Sequence, residues 1–323
     1  MRTLAGFIFA AVCLSLGGGA APLQAGTVLV LSQTAAQLVA IDPETDTIRG
    51  VLQLDTSPAN LAVSPDGQRA FVAHADIGRI SIIDLPSWTV AVAIPAPGSP
   101  FGLAVSQSGK LYAGDWNSDQ VHEIDTATGR VLRSAVIGKA PAHLALTPDG
   151  QLLIAVARET NAVSIIDPAS FTVKTTLAVE RAPFAIALNP RGGSAVVANA
   201  QAGSASTIDL GKLTVTASVP VGAMPYGVAY SGDGATVLIT NQQSGTVSIL
   251  GRPMGSPAGR AAIKVGSYPE GIALNSDSTR AYVANWFSDD VSIIDLTSGK
   301  EAARLKVPGG PRGVAFTTGS FGR

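Results

Sequence analysis

A few side chains able to do acid–base or binding chemistry interrupt an otherwise regular sequence. Glu270 and His143 could exchange protons with a substrate near neutral pH. Arg158 and Arg312 could each hold a carboxylate or a phosphate through paired hydrogen bonds. Polar and aromatic companions stand at Asn60, His74, Asp115, Trp116, Tyr226 and Trp286. Together they predict a polar site with aromatic walls, provided that the fold brings them to one place.

The sequence gives no sign of several common catalytic sites. No G-x-S-x-G segment is present, which excludes the α/β-hydrolase nucleophile. The three histidines, His74, His122 and His143, lie in different segments without metal-ligand spacing, so no metal is expected. Residues 115–119 lack the glycine and the distal glutamate of a calcium loop. Without a P-loop, a dinucleotide fingerprint or a haem-attachment pair, no cofactor is predicted.

The composition favours a globular β-protein. Hydrophobic residues make up 46% of the 323 residues, charged residues make up 14%, and the net charge is −1. The 35 glycines and 20 prolines stand among many valines, isoleucines and leucines, a mixture typical of short strands joined by tight turns. Nucleic-acid binding relies on a basic field, so the charge argues against it.

Residues 1–25 are predicted to be a cleavable export signal. Arg2 precedes an apolar run over residues 4–16, and Ala25 supplies a small residue at the cleavage point. Cys13, the only cysteine, lies inside this segment, and Val12 stands where a lipidation site needs a small residue. We therefore expect a periplasmic protein with no lipid or transmembrane anchor after cleavage, and a single domain over residues 26–323.

The rest of the chain consists of repeats. Each repeat opens with a proline, and the prolines recur every 41 to 44 residues at Pro58, Pro100, Pro141, Pro183, Pro225, Pro269 and Pro311. In the clearest repeat we predict strands over 271–274, 281–284, 291–294 and 302–307, separated by turn residues such as 275–278. A period near this length with strand-like content is typical of propeller blades.

The two ends of the repeat region supply parts of one blade. Residues 311–317 form a first strand, and residues 27–31, 37–41 and 47–54 supply the other three. Pairing between them closes the ring and removes the open edges that invite aggregation. The predicted fold is all-β: a seven-bladed β-propeller whose last blade is closed by N-terminal strands plus the C-terminal strand.

The segments 281–285 (AYVAN) and 291–295 (VSIID) resemble the repeats of the YVTN β-propeller family over residues 27–317. This resemblance implies the propeller fold and an exported protein. The chain is also similar to the propeller subunits of periplasmic quinoprotein amine dehydrogenases and to accessory propellers of pyrroloquinoline-quinone-dependent catabolism. By analogy, the resemblance implies a role beside such an enzyme.

The repeat phase places the candidate residues on one face. Loops from strand four to the next strand one, and from strand two to strand three, share the face where propeller ligands meet the channel mouth. The residue after each leading proline forms one set: Ala59, Phe101, Ala142, Phe184, Tyr226, Glu270 and Arg312. The position ten residues before the repeated aspartate forms another: Ser32, His74, Asp115, Ala157, Asn199, Asn241 and Asn285.

Three functions remain open from the sequence. The main prediction is a non-catalytic periplasmic binding platform that holds a protein partner or a small anion at the channel mouth. The alternative is a propeller-type lactonase or lyase acting on a small anionic substrate, with Glu270 or His143 as acid or base and both arginines holding the anion. Nucleic-acid binding is the second alternative.

Overall fold

The computed structural model describes residues 26–251 and 261–319, and the predicted signal with Cys13 lies outside them. The described residues form seven antiparallel sheets of four strands each, as predicted. Blade one contains β4 (Pro58–Val63), β5 (Arg69–His74), β6 (Arg79–Asp84) and β7 (Thr89–Pro95). Blade two contains β8 (Pro100–Val105), β9 (Leu111–Asp115), β10 (Gln120–Ile124) and β11 (Val131–Val136). Blade three contains β12 (Pro141–Leu146), β13 (Leu153–Ala157), β14 (Ala162–Asp167) and β15 (Thr172–Ala178).

The remaining blades repeat this order. Blade four contains β16 (Pro183–Leu188), β17 (Ser194–Asn199), β18 (Ser204–Asp209) and β19 (Thr214–Pro220). Blade five contains β20 (Pro225–Tyr230), β21 (Thr236–Asn241), β22 (Thr246–Gly251) and β23 (Ala261–Lys264). Blade six contains β24 (Pro269–Leu274), β25 (Arg280–Asn285), β26 (Asp290–Asp295) and β27 (Lys300–Lys306), with a 3-10 turn over Trp286–Ser288. Blade seven contains β28 (Pro311–Thr317), β1 (Thr27–Ser32), β2 (Gln37–Asp42) and β3 (Thr47–Gln53).

The ring is closed in the seventh blade, as the sequence predicts. β28 pairs with β1, and the register sets Val30 opposite Val314 and Val28 opposite Phe316. The first strands of the blades contact one another in ring order, and β28 contacts both β24 and β4. Every blade therefore packs against a neighbouring blade on each side.

Apolar side chains pack between neighbouring blades. One such cluster joins Leu29 and Leu31 of blade seven to Val72 and Ile83 of blade one, and all four side chains are fully buried. Strands β1, β2 and β5 have nearly continuous apolar runs because both of their faces are covered. The fourth strands are mostly exposed, and in β19 exposed residues alternate with partly buried ones. No helix among the described residues is long and apolar enough to cross a membrane.

Candidate functional site at the channel mouth

A β-bulge at the start of each first strand aims one side chain at the channel mouth. In blade six, Pro269 pairs with Asn285, and the register then shifts before Ile272 pairs with Val283. The same shift occurs in blade seven beside Arg312. A bulge adds one unpaired residue and redirects its side chain. The seven residues after the leading prolines, which we call the mouth ring, therefore share one position: Ala59, Phe101, Ala142, Phe184, Tyr226, Glu270 and Arg312.

Arg312 is the centre of the polar part of the mouth. Its Nη1 donates a hydrogen bond to Gln33 Oε1 at 3.0 Å, and its Nη2 donates to the Tyr226 hydroxyl at 2.6 Å. Its Nε lies 3.2 Å from Glu270 Oε2. Burial lowers the pKa of Arg312, but the nearby Tyr226 and Glu270 outweigh this effect, so the pKa is raised and the guanidinium stays charged.

Glu270 is the buried acid of the mouth, with its side chain only 1% exposed. Gln242 Nε2 donates a hydrogen bond to Oε1 at 2.9 Å. Oε2 has only the ion pair with Arg312 and no aligned hydrogen-bond donor among the described residues. Burial raises the pKa of Glu270 to about 7, although Arg312 and Gln242 act in the opposite direction. A carboxyl with this pKa can gain and lose a proton at physiological pH.

Aromatic rings surround the guanidinium. The Arg312 Cζ atom lies 5.4 Å from the centre of the Phe101 ring and 5.2 Å from that of Trp286. Phe184 packs against Tyr226 with ring centres 4.0 Å apart, and Trp116 packs on Phe101 at 5.2 Å. Aromatic side chains therefore line this place, and Phe101, Tyr226 and Trp286 lie within cation–π range of Arg312.

His143 and Asn60 come one position after the mouth ring, and they lie on the channel rather than among the side chains that contact Arg312. Both line a cavity of about 110 Å³ together with Arg312 and Tyr226. This volume is small beside the roughly 300–1,000 Å³ of common ligand sites, so the cavity suits water better than a whole ligand. Burial lowers the pKa of His143 to about 4, which leaves its imidazole neutral at physiological pH.

The structure does not bring His74 and Asp115 to the mouth. His74 is fully buried, and its two ring nitrogens bond to the Thr56 carbonyl and to Ser81 Oγ, each at 2.9 Å. Asp115 Oδ1 accepts hydrogen bonds from the backbone N–H groups of Ser99 and Asn117. At the same repeat position, the Asn285 side-chain amide donates to Asp290 and Ser292. In these three blades this position, which we call the tether position, ties the end of strand two to strand three or to the loop before strand one.

Arg158 also stands apart from the cluster. It is partly exposed in the turn after β13, and its backbone N–H donates to the Ala140 carbonyl at 3.0 Å. Within residues 26–251 and 261–319, its guanidinium has no hydrogen bond or ion pair. Of the two predicted anion-binding arginines, Arg312 alone belongs to the cluster.

Several residues of the cluster were missing from the predicted site. Gln33 and Gln242 follow tether positions, at the same phase as Trp116 and Trp286, and this shared phase is the signal that could have identified them. Phe101 and Phe184 belong to the mouth ring, like Tyr226. Tyr268 belongs to neither of these two repeat positions, because it directly precedes a leading proline. Its place beside Trp286 is seen in the structure.

No protein-family model matches the chain, and no curated protein matches it in sequence. Solved structures are similar in fold. The hydrazine synthase of Kuenenia stuttgartiensis shares 20% identity with a TM-score of 0.74, covering 88% of this chain and 99% of that one. The periplasmic gluconolactonase of Pseudomonas aeruginosa shares 16% identity with a TM-score of 0.75, covering 90% and 99%. A Bacteroides fragilis protein named for a proposed 6-phosphogluconolactonase activity shares 14% with a TM-score of 0.76, covering 93% and 100%.

The comparison contradicts the prediction of a non-catalytic binding platform. Two of these neighbours carry lactonase names, and they favour the lactonase alternative over the platform. At these identities the likeness establishes the shared propeller fold, and an activity has to be argued from the residues of this chain.

Proposed function

We propose that the protein is a lactonase that opens a small cyclic ester at the channel mouth. The observation that carries this proposal is the buried pair of Glu270 and Arg312, which sets one candidate base beside one fixed cation. Glu270 Oε2 faces Arg312 without an aligned donor, so it has capacity to accept another hydrogen bond. The lactonase names of two structural neighbours agree with this proposal.

The chemistry needs one water molecule and no other reactant. Glu270 accepts a proton from the water as the water oxygen adds to the lactone carbonyl carbon. Arg312 faces the negative charge that develops on the carbonyl oxygen and stabilises it in a largely water-excluded place. The ring C–O bond then breaks, and the leaving oxygen takes the proton from Glu270. The product is the open hydroxy acid, whose carboxylate also suits the guanidinium.

We propose that water reaches Glu270 alongside Arg312. The exposed edge of Arg312 borders solvent at the mouth, and the same residue lines the channel cavity below. His143 faces that cavity as a neutral imidazole whose Nδ1 accepts from the Ile186 backbone N–H, so its Nε2–H can donate a hydrogen bond to a water there. We assign Glu270 the role of general base and His143 that of ordering the water.

Hydrolysis of glucono-δ-lactone by the mature protein tests the proposal, with acid release followed by a pH indicator. We expect kcat/KM to rise with pH through about 7, where Glu270 ionises. Glu270→Gln should lower kcat by about 100-fold or more, and His143→Ala by about 10-fold. Lys212→Ala, an exposed lysine with 79% of its side chain in solvent, serves as the control. Turnover that survives Glu270→Gln unchanged would rule this mechanism out.

The YVTN-type repeats and the N-terminal segment support two further assignments. We propose that the chain is a YVTN-type propeller and that it is exported to the periplasm after removal of residues 1–25. N-terminal sequencing of the protein isolated from a periplasmic extract tests the export. A first residue at Gly26 is the expected result, and a chain that retains residue 1 in the cytoplasm would contradict it.

A further inference from the structure

Three aromatic residues of blade six extend the mouth outward. Tyr268, Trp286 and Phe287, which we call the outer triad, contact one another with ring centres 4.7 to 6.4 Å apart. Trp286 also lies under Arg312, with the guanidinium carbon 5.2 Å from its ring centre. The triad therefore forms one apolar surface that begins at the proposed catalytic pair and runs toward solvent.

The triad departs from the repeat at two positions. Phe287 takes the second place after the tether position, where the other blades carry only polar residues: Thr34, Asp76, Asn117, Glu159, Gln201 and Gln243. Tyr268 occupies a left-handed backbone position with φ of 60°, where five other blades carry Ser57, Ala140, Ala182, Met224 and Gly310. A bulky residue is disfavoured in this conformation, so the blade does not need tyrosine there for its own folding.

Phe287 gains little from the fold itself. Its side chain is 70% exposed, the largest exposure of any large hydrophobic residue among those the structure describes. An exposed aromatic ring beside a polar centre contributes to binding when a ligand covers it. The position of Phe287 at the solvent end of the triad fits a ligand that extends outward from Arg312.

The polar side chains around Arg312 and Glu270 each commit one atom to that pair. Gln33 uses its side-chain carbonyl for Arg312, and Gln242 uses its amide group for Glu270. The Tyr226 hydroxyl accepts from Arg312. Recognition of several sugar hydroxyls requires several uncommitted donors and acceptors. Aromatic faces are the more abundant binding groups at this mouth.

We propose that the preferred substrates are lactones with an apolar substituent, whose ring carbonyl meets Arg312 while the substituent lies on Tyr268, Trp286 and Phe287. This inference rests on the proposed lactonase function. It departs from the sugar lactones named for the structural neighbours. Phe287 is then a specificity-determining residue, and it takes no part in the bond-breaking step.

The test compares kcat/KM for γ-butyrolactone, γ-nonalactone and γ-dodecalactone in the parent protein and in Phe287→Ser. In the parent, we expect kcat/KM to rise about 2- to 4-fold for each methylene that is buried on the rings. Phe287→Ser should flatten this rise, so that its loss of kcat/KM relative to the parent grows with the length of the substituent. Gln243→Ser, the same turn position in blade five, is the matched control and should behave like the parent. Equal slopes in parent and variant, or a preference for glucono-δ-lactone over γ-dodecalactone, would overturn the inference.

A binding measurement separates this inference from the proposed function. Quenching of tryptophan fluorescence by γ-dodecalactone reports contact with the triad even if no lactone is hydrolysed. Binding that weakens about 10-fold in Phe287→Ser without turnover would support the apolar ligand class and reject the lactonase. Hydrolysis of γ-butyrolactone with no binding difference between parent and variant would leave the lactonase standing and reject the role of Phe287.

Discussion

Arg312 and Arg158 stand on the same face of the ring, and their surroundings differ completely. Arg312, in blade seven, has Gln33, Tyr226 and Glu270 within contact, and 16% of its side chain is exposed. Arg158, in blade three, has no hydrogen bond or ion pair to its guanidinium among the described residues. The mouth-ring residue of blade three is Ala142, and its tether residue is Ala157.

The difference shows that a residue in a propeller acquires its chemistry from its own blade together with others of the ring. Tyr226 comes from blade five, Glu270 from blade six and Gln33 from blade seven. In blade three, Ala142 and Ala157 offer no polar side chain to Arg158, and its guanidinium is left partly exposed. One arginine is a fixed, partly desolvated cation, and the other is an ordinary surface charge.

The largest expected effect is a difference in the free energy of unfolding between alanine variants of the two arginines. Arg312→Ala leaves Glu270 buried without its counter-ion, so we expect the free energy of unfolding to fall by about 3–5 kcal/mol. Arg158→Ala should change it by less than about 0.5 kcal/mol, as for most surface substitutions. Urea denaturation followed by circular dichroism measures both. If both variants lost the same free energy of unfolding, the contacts of Arg312 would not stabilise the fold more than the surroundings of Arg158 do.

A second expectation concerns the pH dependence of stability. The pKa of Glu270 rises from 4.5 to about 7 on folding, so the native state binds this proton more tightly. The resulting stabilisation is present below pH 4.5 and is lost as the pH rises to about 7, by on the order of 3 kcal/mol. The free energy of unfolding of the parent minus that of Glu270→Gln, measured by urea titration across this range, should therefore fall with pH.

The free energy of unfolding is compared between the parent and Glu270→Gln because His143 changes the pH dependence of stability in the opposite direction. Its pKa falls from 6.5 to about 4 on folding, so it favours the folded state increasingly as the pH rises between these values. Both proteins carry His143, and its contribution cancels in the comparison. A difference that stays flat from pH 4.5 to 7 would contradict the raised pKa of Glu270.

The smallest expected effect distinguishes the tether position from the mouth ring. Asn285→Ala removes the amide that bonds to Asp290 and Ser292, so we expect a loss of about 1–3 kcal/mol. Its effect on kcat should be less than about 2-fold, because the side chain points away from the channel mouth. Asn117→Ala, an exposed asparagine of blade two, is the control. If Asn285→Ala abolished turnover without lowering the melting temperature, the tether position would belong to the site.

The blades could be predicted from the sequence because each one repeats the same local signals. Leading prolines, turn residues and apolar runs agree in every repeat. Counting the strands at the two ends of the repeat region then predicts that they combine into blade seven. Strand ends differ slightly: β24 begins at Pro269, two residues before the predicted start, since proline is tolerated as the first residue of a strand.

The site could be predicted only in part. The structure brings Glu270, Arg312, Tyr226, Trp116 and Trp286 close together, because the repeat phase fixes which face they share. His74 and Asp115 are of residue types that also do chemistry, and phase alone does not show that their side chains bond inward to the loop and to strand three. Glu270 is directed to the mouth by the bulge at the start of its strand, and the sequence alone does not predict that bulge.

Closure of blade seven has a consequence for how activity arises during biosynthesis. Gln33 enters near the beginning of the chain and Arg312 near its end, and the two meet only when β28 has paired with β1. A nascent chain in which six blades have formed still lacks the Arg312 guanidinium at the mouth. The proposed hydrolysis would therefore require the pairing of β28 with β1, and a chain cleaved before β28 would lack it.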